Sequence, residues 1–330
     1  MSERRHQKGG DVAKRIIITR KLPDKVIERA AARFDVSLNA DDHQYSPAEL
    51  ASLLADADGA LICVPDKLTR GLIDGLPRRF EIVSTFSVGL DHIDVEAARA
   101  KGLRVGNAPH GVTTATAEIA MLLILGAARR APEGEKLIRD GAWTSFIPTF
   151  MLGRRLDGKV LGIFGMGRIG KALAKRARGF DMAIHYCNRR QLPETEAQGA
   201  IYHPTLESLA AVSDVLSINA PSTPETRRIV NADLLGRLKP GAVLVNTARG
   251  DLVDDAALIA ALRSGQVGYA GLDVFEGEPK INAGYLALDN VFLLPHMGSQ
   301  TIEARTEMGL EALANIEAHF EGRPLPYPVC

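Results

Sequence analysis

Short apolar runs of three to five residues punctuate the chain, and most are followed by a stretch whose apolar positions recur at helical spacing. Ile16-Ile17-Ile18-Thr19 reads as a strand and residues 23–34 as a helix opened by Pro23. Val36-Ser37-Leu38, a helix over 47–55, the strand Ala60-Leu61-Ile62-Cys63-Val64, a helix near 69–76 and the strand Ile82-Val83-Ser84-Thr85 continue the alternation. Strand, helix, strand at this spacing predicts a parallel sheet with helices on its faces. A short strand over 105–109 leaves this first unit, with Asn107-Ala108-Pro109 as a hinge, and a helix over 115–130 follows.

Residues 134–156 break the pattern. They read as an irregular segment that carries the only tryptophan, Trp143, with Phe146, Ile147, Phe150 and Met151. So apolar an excursion needs something to bury it, and a subunit partner fits. The alternation then resumes with strands at 160–164, 183–187, 215–218, 242–246, 268–274 and 291–294, and a last helix spans 302–320.

Length and composition narrow the class. A chain of 330 residues suits two domains. Lys+Arg and Asp+Glu both number 40, so no global field recruits nucleic acid or an anionic membrane. Cys63, Cys187 and Cys330 are too few and scattered for a disulfide framework or a zinc site, which points to a reducing compartment and to no metal. Residues 1–14 form a charged, ragged tail without the apolar core of a signal peptide, and the most apolar run, 119–128, is too short to span a bilayer. A cytoplasmic, soluble protein is expected.

The most informative stretch is Val160-Leu161-Gly162-Ile163-Phe164-Gly165-Met166-Gly167-Arg168-Ile169-Gly170, a strand running into G-x-G-x-x-G and then a helix. That context gives the motif its meaning. Gly165 permits a tight turn, Gly167 lets the backbone approach a pyrophosphate, and Gly170 lets the helix pack on the strand; Arg168 and Ile169 lie at the helix N-terminus, where an anion is favoured. A glycine-rich turn in some other α/β protein is the alternative. The next strand ends where a ribose-binding acid is expected, and the chain instead has Asn188-Arg189-Arg190. Asn188 does not repel a 2′-phosphate and two guanidiniums can pair with it, so NADPH is favoured, with NADH as a second cofactor; two solvated surface arginines are the competing explanation.

Strand ends supply the rest. Pro221, Thr223, Thr247, Ala248 and Gly298 lie on the edge where the cofactor belongs. In the first unit, Phe86-Ser87-Val88-Gly89-Leu90-Asp91-His92 follows a strand, and the amides of Val88 and Gly89 could cradle a small anion, unless Gly89 is only a turn residue. Arg249, Glu278 and His296 follow successive strands. A histidinium can protonate a carbonyl oxygen as hydride arrives at carbon, a carboxylate orients the imidazole, and an arginine binds a carboxylate bidentately. Taken singly, each also fits a structural ion pair, an interdomain hydrogen bond or a surface acid. Together they match reversible reduction of a 2-oxo acid.

At these residues the chain resembles the D-isomer-specific 2-hydroxyacid dehydrogenase family along nearly its whole length. Gly165–Gly170, Val245-Asn246-Thr247-Ala248-Arg249-Gly250, Gly271-Leu272-Asp273-Val274-Phe275-Glu276-Gly277-Glu278-Pro279 and Pro295-His296-Met297-Gly298-Ser299 carry the resemblance. Tyr186-Cys187-Asn188-Arg189-Arg190 and Ser87-Val88-Gly89 are most similar to the glyoxylate/hydroxypyruvate reductases. The resemblance implies an α/β protein of two doubly wound parallel-sheet domains, a Rossmann dinucleotide-binding domain over 109–296 and a smaller flavodoxin-like substrate domain over 14–108 plus 297–330. It puts the catalytic roles on Arg249, Glu278 and His296, the substrate-carboxylate amides on Val88 and Gly89, and a nicotinamide-amide contact on Asp273. It also implies a homodimer built through residues 115–155. His110 stands where an acid is usual, Asn219 where histidine is frequent, and Cys187 replaces another frequent histidine. The competing readings are a reductase of longer 2-keto sugar acids and, in a different class, a dinucleotide-sensing corepressor-like binding protein. Glu278 disfavours a formate dehydrogenase, and the stop at Cys330 a phosphoglycerate dehydrogenase with an added regulatory domain.

Overall fold

The computed structural model describes residues 13–330, so most of the tail expected over 1–14 lies outside the described residues. The chain divides into two compact units, one ending at Val112 and resuming at Thr301, the other Thr113–Gln300.

The first unit holds five parallel strands: β1 (Arg15–Ile18), β2 (Asp35–Leu38), β3 (Gly59–Ile62), β4 (Ile82–Thr85) and β5 (Arg104–Gly106). Their order, β2-β1-β3-β4-β5, is the flavodoxin-like one. The central strands β3 and β4 are buried throughout, as expected of a sheet covered on both faces. Ser46 caps the helix Pro47–Ala55 in a reciprocal capping box with Glu49, which fixes its start. The last helix, Ile302–Phe320, packs against β3 and β4; on it Glu317, only 3 % exposed, takes both Arg29 and Arg33. A helix at Val95–Lys101, capped by Asp94 and ended by a left-handed Gly102, is absent from the alternation read above because its apolar positions are mostly alanines.

The second unit holds seven parallel strands: β6 (Val160–Phe164), β7 (Ala183–Cys187), β8 (Ile201–His203), β9 (Val215–Ile218), β10 (Ala242–Asn246), β11 (Val267–Leu272) and β12 (Val291–Leu293). The order β12-β11-β10-β9-β6-β7-β8 is the Rossmann arrangement, and its direction reverses between β6 and β9. The helix Val112–Ala128 is a core element, with Ala117, Ala120, Leu123, Ile124 and Ala127 buried. Gly126 and Gly271 allow the close packing: a Cβ would lie 2.3 Å from Phe292 at the first and 2.8 Å from Leu123 at the second.

The segment expected to be irregular from residue 134 is helical at its start. Ala131–Arg139 forms a helix with proline in its first turn, an acid at Glu133, and Lys136 and Arg139 in its last turn. Those charges match the helix dipole, and none of its residues is buried. Residues 140–159 contain no regular element. Trp143 is 56 % exposed and Phe146 86 %, so the described residues do not bury this excursion. No single helix among the described residues is long and apolar enough to cross a membrane.

Candidate active site

The glycine motif lies at the point where the second sheet changes direction. Gly165 follows β6 with φ of +95°, and a Cβ there would come within 2.6 Å of Ala220 N, just beyond β9. Any side chain would therefore push apart the two loops that form the crevice. Gly170 has the complementary role: its Cβ would lie 2.5 Å from Gly165 O, so the helix Arg168–Arg178 could not approach β6. Gly167, the N-cap, has nothing within 4 Å of a Cβ and gives no side-chain cap to the helix. The first-turn amides of Arg168, Ile169 and Gly170 are thus left without a side-chain cap, as an anion site requires.

Asn188 closes this loop from the end of β7. Its Oδ1 accepts Met166 N–H at 2.7 Å, and since that amide can only donate, the Asn188 side-chain nitrogen faces away as a donor. Arg189 and Arg190 are exposed just beyond it. Thr223 N–H donates to Thr226 Oγ1, whose hydroxyl reaches Pro221 O, giving the turn after β9 its shape. Three polar atoms on the same edge are buried without a partner among the described residues, Asn219 Oδ1, Thr247 Oγ1 and Asp251 Oδ1. Orphaned groups of this kind are rare in a finished core, and they fit an edge that receives a polar ligand. The residues present therefore fit a dinucleotide.

Three strand ends bring the chemistry together. Glu278 Oε1 meets His296 Nδ1 at 2.5 Å, and Glu278 Oε2 accepts Phe275 N–H at 3.1 Å. Burial would push the Glu278 carboxyl up, but the bond and the charge of His296, with Arg249 adding to them, hold it below the usual glutamate range. Arg249 is thus close enough to be felt at Glu278. His296 has φ of +53°, a left-handed conformation that is costly for a residue with a Cβ. Asp273 supports it: its backbone oxygen accepts His296 N–H, and its carboxylate oxygens accept Met297 and Gly298 N–H at 2.6 and 2.8 Å. Burial raises the Asp273 pKa, and the two amide bonds oppose that.

Two of these supports were not identified from the sequence. Asn246, 1 % exposed, accepts Ala248 N–H and donates to Arg249 O, which locks the turn presenting Arg249. Its signal was an asparagine at a strand end before T-A-R-G, the makings of an Asx turn. The loop-shaping bonds of Asp273 had no such local signal, because the two amides lie 24 and 25 residues downstream.

In the first unit, Val88 is exposed and Gly89 half-buried beyond β4. His110 donates its backbone N–H to Glu311, and its ring lies 5.3 Å from that of Tyr327. Among the described residues no group of three or more His, Cys, Asp or Glu could hold a metal ion.

A family model for the D-isomer specific 2-hydroxyacid dehydrogenase NAD binding domain matches residues 121–298. Glycerate dehydrogenase of Hyphomicrobium methylovorum is 48 % identical over 95 % of this chain and 98 % of its own. Glyoxylate reductase of Thermococcus onnurineus is 39 % identical, covering 94 % of each. Among solved structures, an NADPH-dependent glyoxylate/hydroxypyruvate reductase from Sinorhizobium meliloti, in complex with NADP and malonate, superposes with a TM-score of 0.84 at 36 % identity over 96 % of this chain and 97 % of that one. The chain belongs to the D-isomer-specific 2-hydroxyacid dehydrogenase family. It is an NAD(P)-dependent D-2-hydroxyacid dehydrogenase, built on a nicotinamide-dinucleotide domain and acting on small 2-hydroxy or 2-oxo acids.

Proposed function

We propose that this enzyme reduces small 2-oxo acids, glyoxylate to glycolate and hydroxypyruvate to D-glycerate, with NADPH as the preferred donor. The observation that carries the reaction is the pairing of Glu278 Oε1 with His296 Nδ1. With Nδ1 held, Nε2 is the nitrogen that carries a proton toward a carbonyl oxygen. When bound, the nicotinamide supplies the hydride. Arg249 binds the substrate carboxylate and polarises the carbonyl, and the family resemblance gives Val88 and Gly89 the remaining carboxylate contacts. Asp273 keeps the nicotinamide-amide role, since an ionised carboxylate oxygen that takes one backbone amide retains a second acceptor site. Gly165, Gly167, Arg168, Ile169 and Gly170 would hold the pyrophosphate, and Pro221, Thr223, Thr247, Ala248 and Gly298 would line the rest of the dinucleotide.

The cofactor preference rests on Asn188 presenting a donor beside two exposed arginines, where an acid would repel a 2′-phosphate. A homodimer formed through the 115–155 segment is part of the same proposal, supported by the exposed apolar side chains there. Oxidation of NADPH and of NADH by the purified enzyme, followed at 340 nm with glyoxylate, hydroxypyruvate and a longer 2-oxo sugar acid, is the test. NADPH with the two short acids should give the highest kcat/KM; a preference for NADH or for the longer acid would overturn the corresponding half.

A further inference from the structure

We propose that Asn107, Ser87, Thr85 and His92 form a clamp that turns the backbone of Val88 and Gly89 outward and presents their two amides as one anion-receiving pair. They are positioning residues, and the inference rests on reading this loop as the substrate-carboxylate site.

The direction of every hydrogen bond in the first arm follows from its last acceptor. Ser87 Oγ lies 2.7 Å from Gly89 O, and a carbonyl can only accept, so the single hydroxyl hydrogen of Ser87 is spent there. Thr85 Oγ1, 2.9 Å from Ser87 Oγ, must then be the donor to it. That uses the Thr85 hydrogen, so the 2.8 Å contact between Thr85 Oγ1 and His92 Nε2 has His92 as donor. The chain runs one way, His92 to Thr85 to Ser87 to Gly89, and fixes the proton of His92 on Nε2. Thr85 is 0 % exposed, His92 3 % and Ser87 6 %, so water does not compete along it.

The second arm holds the two preceding carbonyls. Ala108 N–H donates to Ser87 O at 3.0 Å, and Asn107 Nδ2 donates to Val88 O at 3.1 Å. A trans peptide sets its C=O and N–H on opposite sides. Drawing the carbonyls of Ser87 and Val88 toward residues 107 and 108 therefore points the N–H groups of Val88 and Gly89 away from them. Neither amide donates to a group among the described residues. Asn107 is itself anchored, its N–H on Tyr327 O and its own carbonyl taken by Asn315 Nδ2 at 3.0 Å. Asn315 is fully buried and also bonds Ser84 Oγ. Two successive amides that face one way, with their carbonyls tied behind them, make a concavity for one carboxylate.

The test compares Ser87→Ala, Ser87→Thr and Asn107→Asp with the wild type in the full-length protein. Ser87→Ala removes the donor to Gly89 O, Ser87→Thr restores a hydroxyl, and Asn107→Asp keeps the shape but removes the donor to Val88 O. Three quantities are read: KM for glyoxylate, Ki for oxamate as an unreactive 2-oxo acid analogue, and Kd for NADPH. Losing the order that one hydrogen bond imposes should raise KM and Ki roughly fivefold to tenfold in Ser87→Ala and Asn107→Asp. NADPH affinity should stay unchanged, kcat within about threefold, and Ser87→Thr within about twofold of wild type on every readout. Unchanged oxamate Ki in both disrupted variants overturns the clamp. So does a joint loss of oxamate and NADPH affinity, or a Ser87→Thr variant no better than Ser87→Ala, since either marks a general structural role. If the wild type itself neither reduces glyoxylate nor binds oxamate, the substrate reading of the loop falls first and the clamp with it.

Discussion

The two units share one construction, parallel strands with helices on the faces, yet the backbone donors proposed for anions are oriented in different ways. In the second unit the donors are the first-turn amides of the helix Arg168–Arg178, left without a side-chain cap by Gly167. The helix itself orients them, so the device is local and is written in six consecutive residues. In the first unit the amides of Val88 and Gly89 have no helix to align them. Their orientation comes from Asn107, 19 residues away, anchored in turn by Asn315, which reaches back across 231 positions to Ser84. A local device can be recognised from a motif, whereas a distributed one becomes visible only when the chain has folded.

The sharpest way to break this comparison is to remove the proposed proton donor of the dinucleotide edge. His296→Ala should lower kcat by about 10² to 10⁴, the usual worth of a positioned general acid. NADPH affinity should stay within about twofold, because the proposed pyrophosphate and ribose contacts lie in Gly165–Gly170 and Asn188–Arg190. Stopped-flow turnover with a parallel NADPH titration checks both. A fall in NADPH affinity as large as the fall in kcat would mean that His296 supports the cofactor edge rather than the chemistry.

The same distinction explains what was legible in the sequence. Strands β4, β7, β9 and β10 and the helices Pro47–Ala55 and Ile302–Phe320 have the limits read from the apolar pattern, because buried parallel strands are short unbroken apolar runs. The edge strand β8 escaped notice: Ile201–His203 is three residues long with two polar-tipped side chains. The helix Ala131–Arg139 escaped because its signal is charge at its two ends. Glu278 and His296, which the structure pairs, could be named together because each lies in a loop that follows a strand, and strand ends at one edge of a sheet converge. The structural bonds of Asn246 and Asp273 could not be read from sequence: a buried asparagine or aspartate is recognisable as structural only once its partners are known.

An effect of comparable size separates the cofactor edge into its two parts. Replacing Arg189 and Arg190 together by alanine should weaken NADPH far more than NADH, by about tenfold to a hundredfold per arginine, since a hydrogen bond to a charged group contributes about 1.5–3 kcal/mol. The glycine loop and its tie to Asn188 Oδ1 are untouched in that variant, so NADH affinity should hold. Fluorescence titration with both dinucleotides reads the difference, and equal losses would remove the arginines from the 2′-phosphate.

The smallest effect expected is at Trp143, which belongs to neither anion device. It is 56 % exposed in a stretch where Phe146 is 86 %, Leu152 65 %, Ile147 50 % and Phe150 45 % exposed. No regular element spans residues 140–159, and a run of large apolar side chains left uncovered within one chain is the mark of an association surface. Covering an aromatic of this size contributes about 1.5–3 kcal/mol, and truncating it at the centre of an interface can cost about 2 kcal/mol or more. Trp143→Ala should therefore shift the monomer–dimer equilibrium toward monomer by about tenfold to a hundredfold in Kd, measured by sedimentation across a dilution series. The wild type offers an independent check, since Trp143 is the only tryptophan in the chain. Its emission should be blue-shifted where sedimentation shows dimer and should move to the red on dilution. A water-like emission maximum in the dimer would place Trp143 outside the interface and leave some other face of the 115–155 segment to form it.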